Sequence, residues 1–341
     1  MQLTSLRLVL CLVLLVSCST WIDPAGAHEL KLQFLSKTQS ADLIAGPGAR
    51  GYFDAMHGAE LLAKTRLDHG DRPLAELRDK ARQYYADETL DFSADEMEVL
   101  EWALRSALPS LIEKAPLYAR SQWKFAKISA NIEGGLPHTR AEAIVLSAPF
   151  LKTLIAPYKS GNNQGLSSFL TYILVHEQTH VLQRTHQTLF DDLATTVLGF
   201  HQTQAPNDPW LLERRVVNPD APDNNWVYPI SSSPAVAIFP YLILSRLRNP
   251  RMPQDLQLVA VMATQAGGSW QVQLKDAIPV VVPLMEVKAY TEAFPNKSQV
   301  YHPYEISADL LGYWMAGHST GDTEHPMRAG LAAWGIGRAH V

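Results

Sequence analysis

The spacing of apolar residues along this chain changes character several times, and each change marks an element. Ala55 to Leu67 and Pro73 to Ala86 predict two helices. Ser93-Ala94-Asp95-Glu96 has the form of a capping box, in which the Ser93 hydroxyl accepts from the Glu96 amide and the Glu96 carboxylate reaches back. The helix it opens carries Met97, Leu100, Leu104 and Leu108 at helical spacing, and Leu111 to Tyr118 continues it after Pro109. Trp123 to Ile132 alternates loosely and predicts a strand, Gly134-Gly135 a turn, and Ala143 to Leu146 a second strand with Thr139-Arg140 bending its entry. From about Gly165 the apolar positions Phe169, Leu170, Ile173, Leu174, Val175, Leu182 and Leu189 would bury a helix on most sides. Leu189 to Phe200 reads as further helix, and residues 201 to 234, rich in Pro, Asn and Asp, as irregular connection. Ala235 to Leu244, Leu256 to Thr264, Trp270 to Leu274 and Val280 to Tyr290 read as strands. The sum is an α+β fold: N-terminal helices, a small mixed or antiparallel sheet beside a buried helix, and a further helix downstream.

The buried helix contains His176-Glu177-Gln178-Thr179-His180. Four residues apart on a helix, His176 and His180 project from one face and can reach one metal ion. Glu177 is turned by about 100° from His176, beside the metal rather than on it. Two histidines and a glutamate are costly inside a buried helix unless something satisfies them, and a metal does so. Two nitrogen ligands, a nearby carboxylate base and an open position are what a zinc hydrolase needs.

A catalytic zinc requires a third protein ligand. Glu305 is the first candidate, in Pro303-Tyr304-Glu305-Ile306-Ser307-Ala308-Asp309, where Pro303 suits a first helical turn. Glu305 and Asp309 then share a face, so Glu305 can bind the metal while Asp309 accepts the spare N–H of a ligating histidine. His186 is a second candidate, but Gln183 stands where a Gly would have to turn the chain. On a helix that runs on, His186 lies about 280° round from His176. Asp191 or Asp192 is a third, with a helix cap as the plainer reading.

His176-Glu177-Gln178-Thr179-His180 followed by Glu305-Ile306-Ser307-Ala308-Asp309 resembles the gluzincin group of zinc metallopeptidases, the thermolysin-like type, whose downstream helix carries E-x-x-x-D. The resemblance covers only these two stretches, and the gap between them is longer than is usual for the group, so it implies a sizeable insertion. It also implies a zincin-like fold, with an antiparallel edge strand before the active-site helix that binds extended substrate by strand addition. An oxyanion donor would be sought among Tyr301, His302, Tyr304, Tyr313 and His318.

Composition narrows the setting. Of 341 residues, 47% are hydrophobic and 18% charged, which describes a folded chain, and a net charge of −5 without a basic stripe argues against nucleic acid. The N-terminus has a targeting pattern: one positive charge, the apolar run Leu8 to Val16, too short to span a bilayer, then Leu15-Val16-Ser17-Cys18. The last four resemble a bacterial lipobox, which implies lipidation at Cys18 and, with Ser19 following, an outer-membrane lipoprotein facing the periplasm. Cleavage after Ala27, at Ala25-Gly26-Ala27, is the alternative and would give a soluble periplasmic or secreted protein. The only cysteines, Cys11 and Cys18, lie in this segment, so the site must use His, Asp and Glu. Residues 1–18 are thus expected as signal, 19–50 as tether, and 51–341 as one catalytic domain, possibly bilobal. The expected function is a one-zinc metallopeptidase hydrolysing peptide or protein substrates through metal-activated water. His176, His180 and Glu305 hold the ion, Glu177 is the base, Asp309 supports from behind, and a lipid anchor ties the chain to the membrane. The alternatives are a hydrolase of a non-peptide amide or ester, and an envelope lipoprotein that binds zinc without turnover.

Overall fold

The computed structural model describes residues 30–67, 72–161, 163–233, 235–295 and 301–317, with Gly330 and Trp334. The first half holds β1 (Lys31–Phe34), α1 (Lys37–Ala45), α2 (Arg50–Ala55), α3 (Gly58–Thr65), α4 (Leu74–Asp87), β2 (Thr89–Leu90), α5 (Ala94–Lys114), α6 (Pro116–Arg120) and β3 (Gln122–Ile128). It continues with β4 (His138–Arg140), β5 (Ala143–Ser147), α7 (Ala148–Lys159), α8 (Asn163–Thr185) and α9 (Gln187–Asp192). The second half holds β6 (His201–Gln202), α10 (Pro209–Arg214), β7 (Trp226–Ser232), β8 (Ala235–Leu244), β9 (Leu256–Ala266) and β10 (Ser269–Val272). It ends with β11 (Leu274–Lys275), β12 (Ile278–Pro279), β13 (Val281–Pro283), α11 (Lys288–Ala293) and α12 (Pro303–Met315). The chain is α+β.

The first sheet runs β1-β3-β5-β4, with β1, β3 and β5 parallel and the edge strand β4 antiparallel to β5. Its two central strands are buried on both faces, and alternate residues feed different cores. Trp123, Phe125, Ile144 and Leu146 pack with α5, α7, α8 and α12. Ala126, Ile128, Ala143 and Val145 pack under the α1–α4 layer against Ile44, Phe53, Leu61 and Tyr85. The second sheet runs β10-β9-β8-β7-β6, with β13 beside β9, and every pairing in it is antiparallel. It fills the long gap between the two motifs and packs Trp226, Ile238 and Ala260 against Ile306 of α12.

Several expectations need correction. Residues 31–45, expected within a tether, form β1, which pairs with β3, and α1, which packs in the core. The helix expected from Ala55 to Leu67 starts at Gly58, after α2 has ended. The capping box is present in both halves, with Ser93 N donating to Glu96 Oε2 at 2.7 Å and Glu96 N to Ser93 Oγ at 3.3 Å. The helix runs through Pro109, because Leu104, Ala107 and Leu111 keep its inner face packed around the missing N–H. Thr139-Arg140 is a strand rather than a bend, and α7 fills the interval after β5. Val280 to Tyr290 is a strand only at β13, then a helical turn and α11. Among the described residues no helix is long and apolar enough to cross a membrane. Cys18 and the other targeting residues lie outside the described residues.

Two helices position the site. α8 is buried by its apolar residues on one side and by Thr171, His176, Gln178, Thr179 and His180 on others. α12 starts where His302 caps it: His302 Nδ1 accepts the Tyr304 amide at 3.1 Å, and Nε2–H donates to Asp223 O at 2.8 Å. Burial pushes the His302 pKa down to about 4, so the ring is neutral and can do both. The helices cross closely at Gly312, where an added Cβ would stand 2.9 Å from Tyr172 O. Two turns before that crossing, α12 presents Glu305 to α8.

Candidate metal centre

His176 and His180 turn their Nε2 atoms toward each other at 3.2 Å, and Glu305 Oε2 stands 3.5 Å from each. All three residues are buried and together form a group that can hold a metal ion. Atoms each bound to one tetrahedral zinc at about 2.0–2.1 Å lie roughly 3.3–3.4 Å apart, so the triangle fits a single ion. Three lone pairs meeting in a buried space repel unless a cation or a proton lies between them. Burial opposes a charge on His176, but the Asp309, Glu305 and Glu177 carboxylates outweigh it and hold its pKa well above the ordinary value. His180 is raised likewise, against burial, by Glu305 and Asp220. Glu305, against burial, is held well below the usual carboxylate range by the two imidazoles. The site calls for positive charge.

The far side of each imidazole is supported. Asp309 Oδ1 lies 3.1 Å from His176 Nδ1, and the Tyr172 hydroxyl donates to the same oxygen at 2.6 Å. His180 Nδ1–H donates to Gln183 Oε1 at 2.8 Å. Gln183 is oriented in turn by its Nε2, which donates to Tyr304 O and Ser307 Oγ, both at 2.9 Å. The Gln183 bond fixes the His180 ring with Nε2 inward, and Asp309 stands behind His176 as a charge partner.

Glu177 is buried beside the triangle, and its Oε2 has no hydrogen-bond partner. Burial first, and then the Asp220 charge, push its pKa up to about 8. It lines a cavity of about 280 Å³ with His176, Glu305, Tyr301, His138 and Asp220, and Leu242 and Leu258 of the second sheet form another wall. A water in this cavity would meet the metal ligands, a carboxylate with a free oxygen and a phenol.

Of the other candidates, His186 is exposed and bonds Thr185 Oγ1. Asp191 accepts the Tyr304 hydroxyl, and Asp192 accepts Trp334 Nε1 at 3.2 Å. None of these three joins the triangle. Among the possible oxyanion donors, Tyr301 lines the cavity, while His302 caps α12 and Tyr313 packs its ring tilted against Tyr172, centroids 4.5 Å apart. His318 lies outside the described residues. Gln183 went unrecognised in the sequence although it stands three residues after His180, on the same helical face. Asn218 and Asp220 also belong here and carry no sequence signal. Asp220 Oδ1 accepts the Thr139 amide of the edge strand β4 at 2.6 Å, and β5, the strand before the active-site helix, is no edge but is paired with β3 on one side and β4 on the other. In comparisons with known proteins, no family model matches this chain, and no curated protein and no solved structure matches it.

Proposed function

We propose that this chain is a zinc-dependent metallopeptidase of zincin-like fold, acting on peptide or protein substrates. The observation that carries the reading is the pairing of a three-atom metal triangle with the free oxygen of Glu177 in one cavity. His176, His180 and Glu305 hold the ion. Zinc there supplies Lewis acidity to a carbonyl oxygen and makes water acidic near neutrality. Glu177 would accept the proton of the attacking water at its unpartnered Oε2 and pass it to the leaving nitrogen. Tyr301, on the cavity wall, donates to the developing oxyanion. Asp309 and Gln183 keep the imidazoles aimed inward. The targeting pattern at residues 1–18 places the reaction in the cell envelope in this proposal.

A site built only to store or sense zinc has no use for an unpartnered carboxylate beside the ion. Glu177→Gln separates the cases. It should keep zinc by metal analysis and lose hydrolysis of a denatured protein by about 10²–10⁴-fold. Full activity in this variant contradicts the mechanism.

A further inference from the structure

The segment Val216–Asp220 lines the metal cavity and is pinned along its length. Val216 N donates to Leu242 O at 2.9 Å. Val217 N donates to Glu60 Oε1, and Val217 O accepts from Lys64 Nζ, both at 2.7 Å. Pro219 O accepts from Arg184 Nη2 at 2.8 Å, and Asp220 Oδ1 takes the Thr139 amide. Glu60 and Lys64 stand one turn apart on α3, 3.0 Å from each other, with no side-chain exposure. A buried ion pair adds little stability by itself. This one holds both polar groups of a single residue in the neighbouring segment.

Between these anchors sits Asn218. Its Oδ1 accepts the Asp220 amide at 3.0 Å, which fixes the nitrogen end of its side chain. Nδ2 donates to Glu305 Oε1 and to Tyr301 Oη. The two oxygens of Glu305 are therefore divided: Oε2 faces both imidazoles and Oε1 is held by Asn218. A carboxylate free at both oxygens can grip one cation with both, filling the position a catalytic site must leave open.

We propose that Asn218, braced through Val217 by the buried Glu60–Lys64 pair, restricts Glu305 to ligation through Oε2 alone and so keeps one metal position for water. Asn218 is a positioning residue: it acts through Glu305 and Tyr301. The inference rests on the zinc-site reading above.

Cobalt(II) in place of zinc tests it, because visible absorption is strong in four-coordinate sites and weak at higher coordination. The full chain is loaded with one equivalent of cobalt, as wild type, Asn218→Ala, Asn218→Leu and Lys64→Met, with folding followed by circular dichroism. Wild type should absorb strongly. Both Asn218 variants should absorb several-fold less while holding cobalt at least as tightly against a chelator, and Lys64→Met should fall between. If Lys64→Met does not fold, the two Asn218 variants decide. If wild type binds cobalt and both Asn218 variants keep its spectrum, the brace is wrong and the metal reading stands. Unchanged spectra with faster peptide hydrolysis would make the segment a block on substrate instead, which also overturns the proposal. A wild type that takes up no cobalt removes the metal reading and this inference with it.

Discussion

Two buried polar clusters lie against the same cavity, and they are built on opposite plans. In the first, Lys64 contacts Glu60 at 3.0 Å and Glu133 at 3.3 Å, and Arg140 contacts Glu133 at 2.9 Å. The Tyr52 and Tyr85 hydroxyls donate to Glu133, and the Arg140 guanidinium lies 3.6 Å over the Tyr52 ring. Two acids face two bases, so the charges balance within the chain. In the second, His176, His180 and Glu305 turn three lone pairs to one point, with Glu177 and Asp309 close by. The charge of Arg184 and that of Glu177 bear on each other, but the guanidinium is occupied by the Pro219 and Ala141 carbonyls. Burial alone therefore does not mark a functional site. The balanced cluster holds backbone in place, whereas the unbalanced one gathers ligand atoms that could hold a metal ion.

Substitutions in each cluster should give opposite signatures. Glu133→Gln leaves Lys64 and Arg140 with reduced compensation and should cost about 3–5 kcal/mol of folding stability at neutral pH, read by urea unfolding. The same carboxyl sets the acid limb. Burial opposes its charge, but Lys64 and Arg140 outweigh burial and hold its pKa well below the usual carboxylate range. Its folded pKa is depressed, so its contribution is present above the unfolded value of about 4.3 and is lost as pH falls below that. Wild type should thus lose stability more steeply than Glu133→Gln below pH ~4. Parallel curves would mean that the balanced cluster is not ionised as described.

Gln183→Ala should lower zinc affinity by about 10–100-fold, measured by chelator competition, with a smaller stability loss of about 1–3 kcal/mol because Tyr304 O and Ser307 Oγ also lose their partner. It removes the partner of His180 Nδ1 but no ligand. A stability loss with zinc affinity intact would place Gln183 with the balanced cluster.

The placement of the two histidines on one face of α8, and of Glu305 and Asp309 on one face of α12, was legible because helical spacing alone sets it, and Glu177 follows as the neighbour of His176. The capping box at Ser93 and the Pro303 start of α12 were legible for the same reason: local rules decide local structure. What stayed hidden depends on distant contacts. Nothing local in Val216-Val217-Asn218-Pro219-Asp220 says that Asn218 meets Glu305 or that Asp220 bonds Thr139 of β4. The ion pair on α3 is an unremarkable i, i+4 pair in sequence, and only its burial under Val217 gives it a task. α7 was missed because Pro157, inside its last turn, obscured a helix that Ser147 caps. β1 was missed because four residues are too few to show a period.

Metal analysis of the purified chain beside its His176→Ala and Glu305→Ala variants tests the central claim most directly. The account predicts about one zinc per wild-type chain and a large loss in both variants, with circular dichroism unchanged. A wild type without bound zinc under saturating metal, or full zinc retained by either variant, would contradict it.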